Sequence, residues 1–334
     1  MALSKRLAVA LALGAVCEAT AASKAPINIT MNLWPTEVAP GDTPGSIGPE
    51  VWADDGERVY VYNVSVPTLS YYWEAPDGYD GSPTPAILVF CGGGYNLCSI
   101  TGEGYEIAEM LNALGIAAFV LKYRVPDRPD DDSAMPPHWA SLMDAQRAMN
   151  LVKQSSGTFN IGAHVGVIGF SAGGHLATML STTGWKSLLY APISGDTASD
   201  AQADVTVGVY PAYLTGQTNP GPTMLLSAEV TPDEETNPWF GVQTQGDQYL
   251  SAPGFFLNFS AVASSGSGAS VLHVYSEGTT THGYGLCSSN EGTDVCEWPL
   301  RMADWLALRG FVGESDLQRG KEALVRLISS KRSL

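Results

Sequence analysis

The pattern of apolar segments predicts an α/β protein built on a mostly parallel central sheet with helices on both faces. Three observations carry that prediction. From Arg58 onward, strand-like runs alternate with helix-length segments, as parallel pairing requires, because each parallel connection needs a long crossover. Pro85 to Phe90 and Val165 to Ile168 are apolar throughout, which suits strands buried on both faces. The 334 residues are 45% hydrophobic and 15% charged, enough to build one large core.

The chain opens with Lys5 and Arg6, then an apolar stretch from Leu7 to Val16, then small residues around Ala19-Thr20-Ala21. These are the three parts of a secretory signal, so residues 1–22 read as a leader and 23–334 as one domain. The apolar stretch is too short to span a bilayer, and no later segment is long enough either. Residues 24–57 are rich in proline and glycine and lack a clear period. Arg58 to Val66 alternates as an edge strand should, and Thr68 to Trp73 suits another. Pro85 to Phe90 is the next strand. A helix is expected over Gly104 to Leu114, stopped by Gly115, with a strand from Ile116 to Tyr123 after it.

A polar loop over 125–137 leads to a helix from Trp139 to Gln154. The strand Val165 to Ile168 then runs into a helical pattern, His175 to Leu180. Val205 to Tyr210 is a further strand, and 212–237 is irregular. Trp239 to Thr244 and Val271 to Tyr275 are strands with a helix-sized segment, Ala252 to Ser264, between them. Helices near Pro299 to Arg309 and Ser315 to Ser330 close the chain. Ligands on such sheets bind beyond the carboxyl ends of the strands, so every functional residue is expected just after a strand.

A formal net charge of −17 argues against nucleic acid or an anionic membrane as partner. Loss of the leader would leave Cys91, Cys98, Cys287 and Cys296, an even number suited to an oxidising compartment. Asn28, Asn63 and Asn258 each begin an N-glycosylation sequon. Arg332-Ser333-Leu334 matches no retention or peroxisomal signal. The expected location is extracellular.

Gly169-Phe170-Ser171-Ala172-Gly173 sits between an apolar strand and a helix. That is the context of a nucleophile elbow, where a serine occupies a strained turn and the flanking glycines avoid collisions with strand and helix. An acyl-transfer serine needs donors for the oxyanion. Cys91-Gly92-Gly93-Gly94-Tyr95 follows the strand ending at Phe90, and glycines let backbone amides approach a substrate. Each such donor stabilises the developing charge by about 3 kcal/mol. Gly93, Gly94 and Ala172 are the expected donors.

Of the five histidines, His273 lies inside a strand and His164 at the amino end of the elbow strand, the wrong edge of the sheet. His138 precedes a helix and could line a pocket, and His175, on the elbow helix, reads as packed. His282 lies in the loop just beyond Val271 to Tyr275, where an imidazole can reach the serine and act as general base. The acid should fall between serine and base in the chain. Asp247 follows the strand Trp239 to Thr244, and a helix-sized segment separates it from the histidine strand. Asp233, after Met224 to Val230, is the alternative, although the run Asp233-Glu234-Glu235 suits a solvated loop better.

With these residues in place the chain resembles the α/β-hydrolases. It is particularly similar to their carbohydrate-esterase-like branch, related to acetylxylan and feruloyl esterases. Beyond the triad, the resemblance rests on Cys91 to Tyr95, Glu103-Gly104, Leu121 to Pro126, Asp144 to Ala148, Gly169 to His175, Tyr210 to Leu214 and His282 to Gly285. It covers roughly residues 60–310 and implies the α/β-hydrolase fold with ester-hydrolase chemistry. Departures from the pattern are Cys91 where proline or histidine commonly stands, two threonines lengthening the loop before His282, and Gly246 in place of an acidic residue.

Asp144 and Arg147 read as a structural helix pair. Cys287 with Cys296, and Cys91 with Cys98, are one of the three pairings that four cysteines permit.

The expectation is a secreted serine esterase, 23–334 being its catalytic domain, with no metal or organic cofactor. Its triad would be Ser171, Asp247 and His282. The resemblance implies acetylated or feruloylated polysaccharide, such as xylan, as substrate. A small-molecule carboxylesterase and a catalytically silent binding protein of the same fold are the alternatives.

Overall fold

The computed structural model describes residues 27–36, 38–43, 45–126, 135, 137–215, 226–247, 270–276, 281–287, 290 and 292–330. Eleven strands occur among them. They are β1 (Ile27–Asn32), β2 (Val51–Asp54), β3 (Val59–Tyr62), β4 (Thr68–Trp73), β5 (Thr84–Phe90), β6 (Leu97–Ser99), β7 (Ala117–Lys122), β8 (Ile161–Phe170), β9 (Thr206–Val209), β10 (Trp239–Thr244) and β11 (Val271–Tyr275). The α-helices are α1 (Glu106–Ala113), α2 (Trp139–Gln154), α3 (Ser156–Phe159), α4 (Ala172–Met179), α5 (Trp298–Ala307) and α6 (Glu314–Ser330). Among the described residues, no helix is long and apolar enough to cross a membrane.

Eight strands form one sheet in the order β1-β4-β7-β5-β8-β9-β10-β11. β4 runs antiparallel to both its neighbours, and every pairing from β7 to β11 is parallel. The apolar runs have their expected cause. β7, β9 and β10 are buried at every residue, which requires cover on both faces. α1 packs on β4 and β7, α4 on β8 and β9, and α5 on β10. This is the α/β-hydrolase fold.

Several expected bounds move. The strand expected over Arg58 to Val66 is four residues long and lies at the centre of a separate antiparallel sheet, β2-β3-β6, rather than at an edge of the main one. Among the described residues, one edge of the main sheet is β11 and the other is β1, inside a stretch with no overall period. Its own six residues do alternate, Ile-Asn-Ile-Thr-Met-Asn, with Met31 buried and Asn28 and Thr30 exposed, because only one face of an edge strand packs. The helix expected from Gly104 begins as a π-helical turn, Thr101–Tyr105, before α1 takes over. The leader, the helix expected over 252–264 and the sequon at Asn258 lie outside the described residues. Asn28 is exposed on β1, and Asn63 is half-buried.

α2 is buried along nearly its whole length despite its polar residues, and each polar side chain has a specific partner. Asp144 and Arg147 do not pair with each other, contrary to the helix-pair expectation. Asp144 accepts hydrogen bonds from the Arg124 guanidinium, the Arg124 amide and the Trp34 indole, while Arg147 pairs with Asp196. Residues three apart on a helix can meet, but here the stronger partners come from other elements.

Candidate active site

The strand order brings five loops to one edge of the sheet. β5, β8, β9, β10 and β11 are consecutive parallel neighbours, so their carboxyl ends lie side by side. The glycine loop follows β5, Ser171 follows β8, Tyr210 follows β9, Asp247 follows β10 and His282 follows β11.

Ser171 is the residue between β8 and α4, with φ 50° and ψ −118°. An L-residue there is strained by roughly 1–3 kcal/mol, and the surrounding bonds hold it. Its amide donates to the Val209 carbonyl at 3.1 Å, and its own carbonyl accepts from the amides of His175 and Ala212. Gly173 shows why the elbow needs glycine. A Cβ there would lie 2.2 Å from the Phe90 carbonyl oxygen and 2.5 Å from that of Cys91.

His282 lies between Ser171 and Asp247. Its Nδ1 is 2.8 Å from Asp247 Oδ2, and its Nε2 is 2.8 Å from Ser171 Oγ. A carboxylate oxygen can only accept, so Nδ1 carries the proton and Nε2 is left to accept from the serine hydroxyl. The Asp247 side chain is 1% exposed and that of His282 is 12% exposed. The Thr244 hydroxyl donates to the Thr281 carbonyl and ties the base loop to the end of β10. Asp233 is elsewhere. It pairs with Lys186 on the surface, which holds its carboxyl below the usual range.

The glycine loop turns back on itself. The Gly93 carbonyl accepts from the amides of Asn96 and Leu97, and Gly93 has φ 136°, where a Cβ would sit 2.1 Å from the Leu97 carbonyl oxygen. Among the described residues, the amides of Gly93 and Gly94 have no protein acceptor. Both residues line one cavity of about 400 Å³ together with Ser171 and His282. Ala172 is the first residue of α4, where a helix amide has no intrahelical acceptor. Together these groups can run acyl transfer: a hydroxyl, a base facing it, an acid behind the base and unpaired amides nearby.

Other histidines have other surroundings. His138 does not line this cavity; it stacks on Tyr95 with ring centroids 3.7 Å apart. His175 is buried, and its Nδ1 is 2.9 Å from the Tyr95 hydroxyl. His164 is exposed near the amino end of β8, and His273 packs against Phe240.

Cys287 and Cys296 form a disulfide with Cα atoms 4.9 Å apart. Cys91 and Cys98 do not. Both are buried free thiols, a correction to the second expected pairing. Burial, then the hydrogen bond with Cys98, pushes the Cys91 thiol well above its ordinary range.

Other polar side chains line the cavity as well. Arg58 and Tyr60 line the cavity from β3 and the turn before it, with no motif to mark them. Glu103 lines it too, and was visible only as part of the Glu103-Gly104 motif.

Comparison with known proteins agrees with this fold. The BD-FAE family model matches residues 75–224. An acetylxylan esterase of Xylanibacter ruminicola is 41% identical over 98 residues, which are 29% of this chain and 19% of that protein's length. Among solved structures, an acetyl ester-xyloside bifunctional hydrolase from Caldicellulosiruptor lactoaceticus has a TM-score of 0.61 and 27% identity, covering 85% of this chain and 97% of its own. MGS-M1, an α/β-hydrolase enzyme from a Medee basin deep-sea metagenome, has a TM-score of 0.57 and 25% identity, covering 78% and 97%.

Proposed function

We propose that this α/β-hydrolase-fold chain, with its BD-FAE match, is a secreted serine esterase that removes acetyl or feruloyl groups from a polysaccharide such as xylan. The unbroken hydrogen-bonded line from Ser171 through His282 to Asp247 carries the reading. As Ser171 Oγ attacks the ester carbonyl, His282 Nε2 takes its proton, and Asp247 stabilises the imidazolium that forms. The amides of Gly93, Gly94 and Ala172 meet the negative charge growing on the carbonyl oxygen. Collapse of the tetrahedral intermediate expels the alcohol, which His282 protonates. Water, activated by the same imidazole, then releases the acid from Ser171.

The substrate class is supported by the names of two similar proteins, an acetylxylan esterase and an acetyl ester-xyloside hydrolase. Secretion is supported by the leader-like first 22 residues, with the catalytic domain following. A fluorophosphonate probe should label the wild type and not Ser171→Ala, and acetate should be released from acetylated xylan. Absence of labelling together with no turnover of an activated acetate ester would leave a silent binding protein of this fold. Ferulate released in place of acetate would reassign the acyl group.

A further inference from the structure

Glu103 is a carboxylate buried to 3% exposure on the turn before α1, with no cation at ion-pair distance among the described residues. Burying a carboxyl group is costly unless its oxygens find donors. Both do. Oε2 accepts the Gly92 amide at 2.7 Å, and Oε1 accepts the Tyr210 hydroxyl at 2.8 Å. The Tyr210 oxygen in turn accepts the Gly285 amide at 2.8 Å. These bonds join three loops that are far apart in sequence. Gly92 opens the loop holding Gly93 and Gly94, Tyr210 follows β9, and Gly285 lies three residues beyond His282.

Neighbouring contacts hold the ends of this line. The Tyr123 hydroxyl donates to the Cys91 carbonyl at 2.6 Å, the Trp298 indole donates to the Gly285 carbonyl at 3.1 Å, and the Tyr210 ring lies 4.8 Å from the His282 ring. Burial and then the Glu103 charge raise the Tyr210 phenol well above its usual range, so it keeps the proton it donates.

We infer that Glu103 and Tyr210 are positioning residues, which through the line Gly92–Glu103–Tyr210–Gly285 set the oxyanion loop and the His282 loop relative to each other. The inference rests on the esterase reading. Glu103 acts through the Gly92 amide that it holds, and Tyr210 through the Gly285 amide and through its ring, which packs against the His282 ring. A carboxylate suits the role because it accepts two donors from two elements at once. Glu103→Gln presents one carbonyl acceptor and one amide NH2 donor, so either the Gly92 bond is lost or the Tyr210 bond is lost or reversed. Tyr210→Phe removes two bonds of the line.

The test measures kcat and KM for an activated acetate ester, and the affinity of an arylboronic acid that forms a tetrahedral adduct on serine. Ser171→Ala serves as background and thermal melting as the folding check. Small displacements of catalytic groups lower rates steeply, so each variant should lose about 10- to 100-fold in kcat with KM within about threefold. Boronate affinity should fall in step. The double variant should be no worse than the poorer single one, because both cut the same line. Folded variants with kcat within about twofold of wild type, or losses that multiply in the double variant, would overturn the inference. So would failure of both to fold, which would make them plain structural supports. A wild type that neither labels nor turns over would instead sink the esterase reading, so the two failures are distinct.

Discussion

Asp247 Oδ2 lies 2.8 Å from His282 Nδ1, a bond between residues 35 apart in the chain, on loops that leave two adjacent parallel strands. Because the carboxylate holds the proton on Nδ1, it decides which nitrogen faces Ser171. Asp247→Asn can present an amide to Nδ1 and favour the wrong tautomer. The expected outcome is a fall in kcat of about 10,000-fold with little change in melting temperature. Asp233→Asn is the control. A surface ion pair is worth about 0–1 kcal/mol, so its kcat should stay within about twofold of wild type. The reverse ranking would assign the acid to Asp233.

Gly173 packs against backbone on the neighbouring strand, not against a movable side chain. Gly173→Ala should therefore destabilise the protein by more than about 2 kcal/mol, read from urea unfolding, and reduce activity with it. A variant as stable and as active as wild type would show that the elbow can relax.

The disulfide between Cys287 and Cys296 closes a short loop, separation 9, just past His282. On the chain-entropy model it stabilises by about 2–3 kcal/mol. Replacing both cysteines by serine should lower stability by that amount in chemical unfolding. The Trp298 bond to Gly285 is left in place, so kcat should fall less than stability alone would suggest. Unchanged stability would mean that the loop is held without the bridge.

Cys91 and Cys98 should stay thiols. Burial and the raised thiol range of Cys91 keep the reactive thiolate scarce, so iodoacetamide at about pH 8 should label neither before unfolding and both after it, with no reductant added. Peptide mapping checks this, and a recovered Cys91–Cys98 bridge would contradict it.

Much of the candidate site was legible because the chemistry obeys a positional rule. Ser171, Asp247 and His282 each follow a strand recognisable from its residues, and chain order separates acid from base. Glu103 and Tyr210 were not legible as partners, since their bond spans 107 residues and depends on which loops the strand order makes neighbours. The edge strand β1 escaped because its alternation is brief and sits among prolines and glycines. The partners of Asp144 and Arg147 escaped because a helix face does not say which loops pack on it.

By itself, then, the sequence determined the strand-and-helix alternation, the elbow at Ser171 and the candidate triad, since these follow from local periodicity and from residues whose backbone demands are local. Tertiary structure alone decided that Cys91 and Cys98 remain thiols, that Asp233 turns to Lys186, and that Gly92, Glu103, Tyr210 and Gly285 lie in one line. Those outcomes depend on distances between loops brought together by strand order, which no local run of residues encodes.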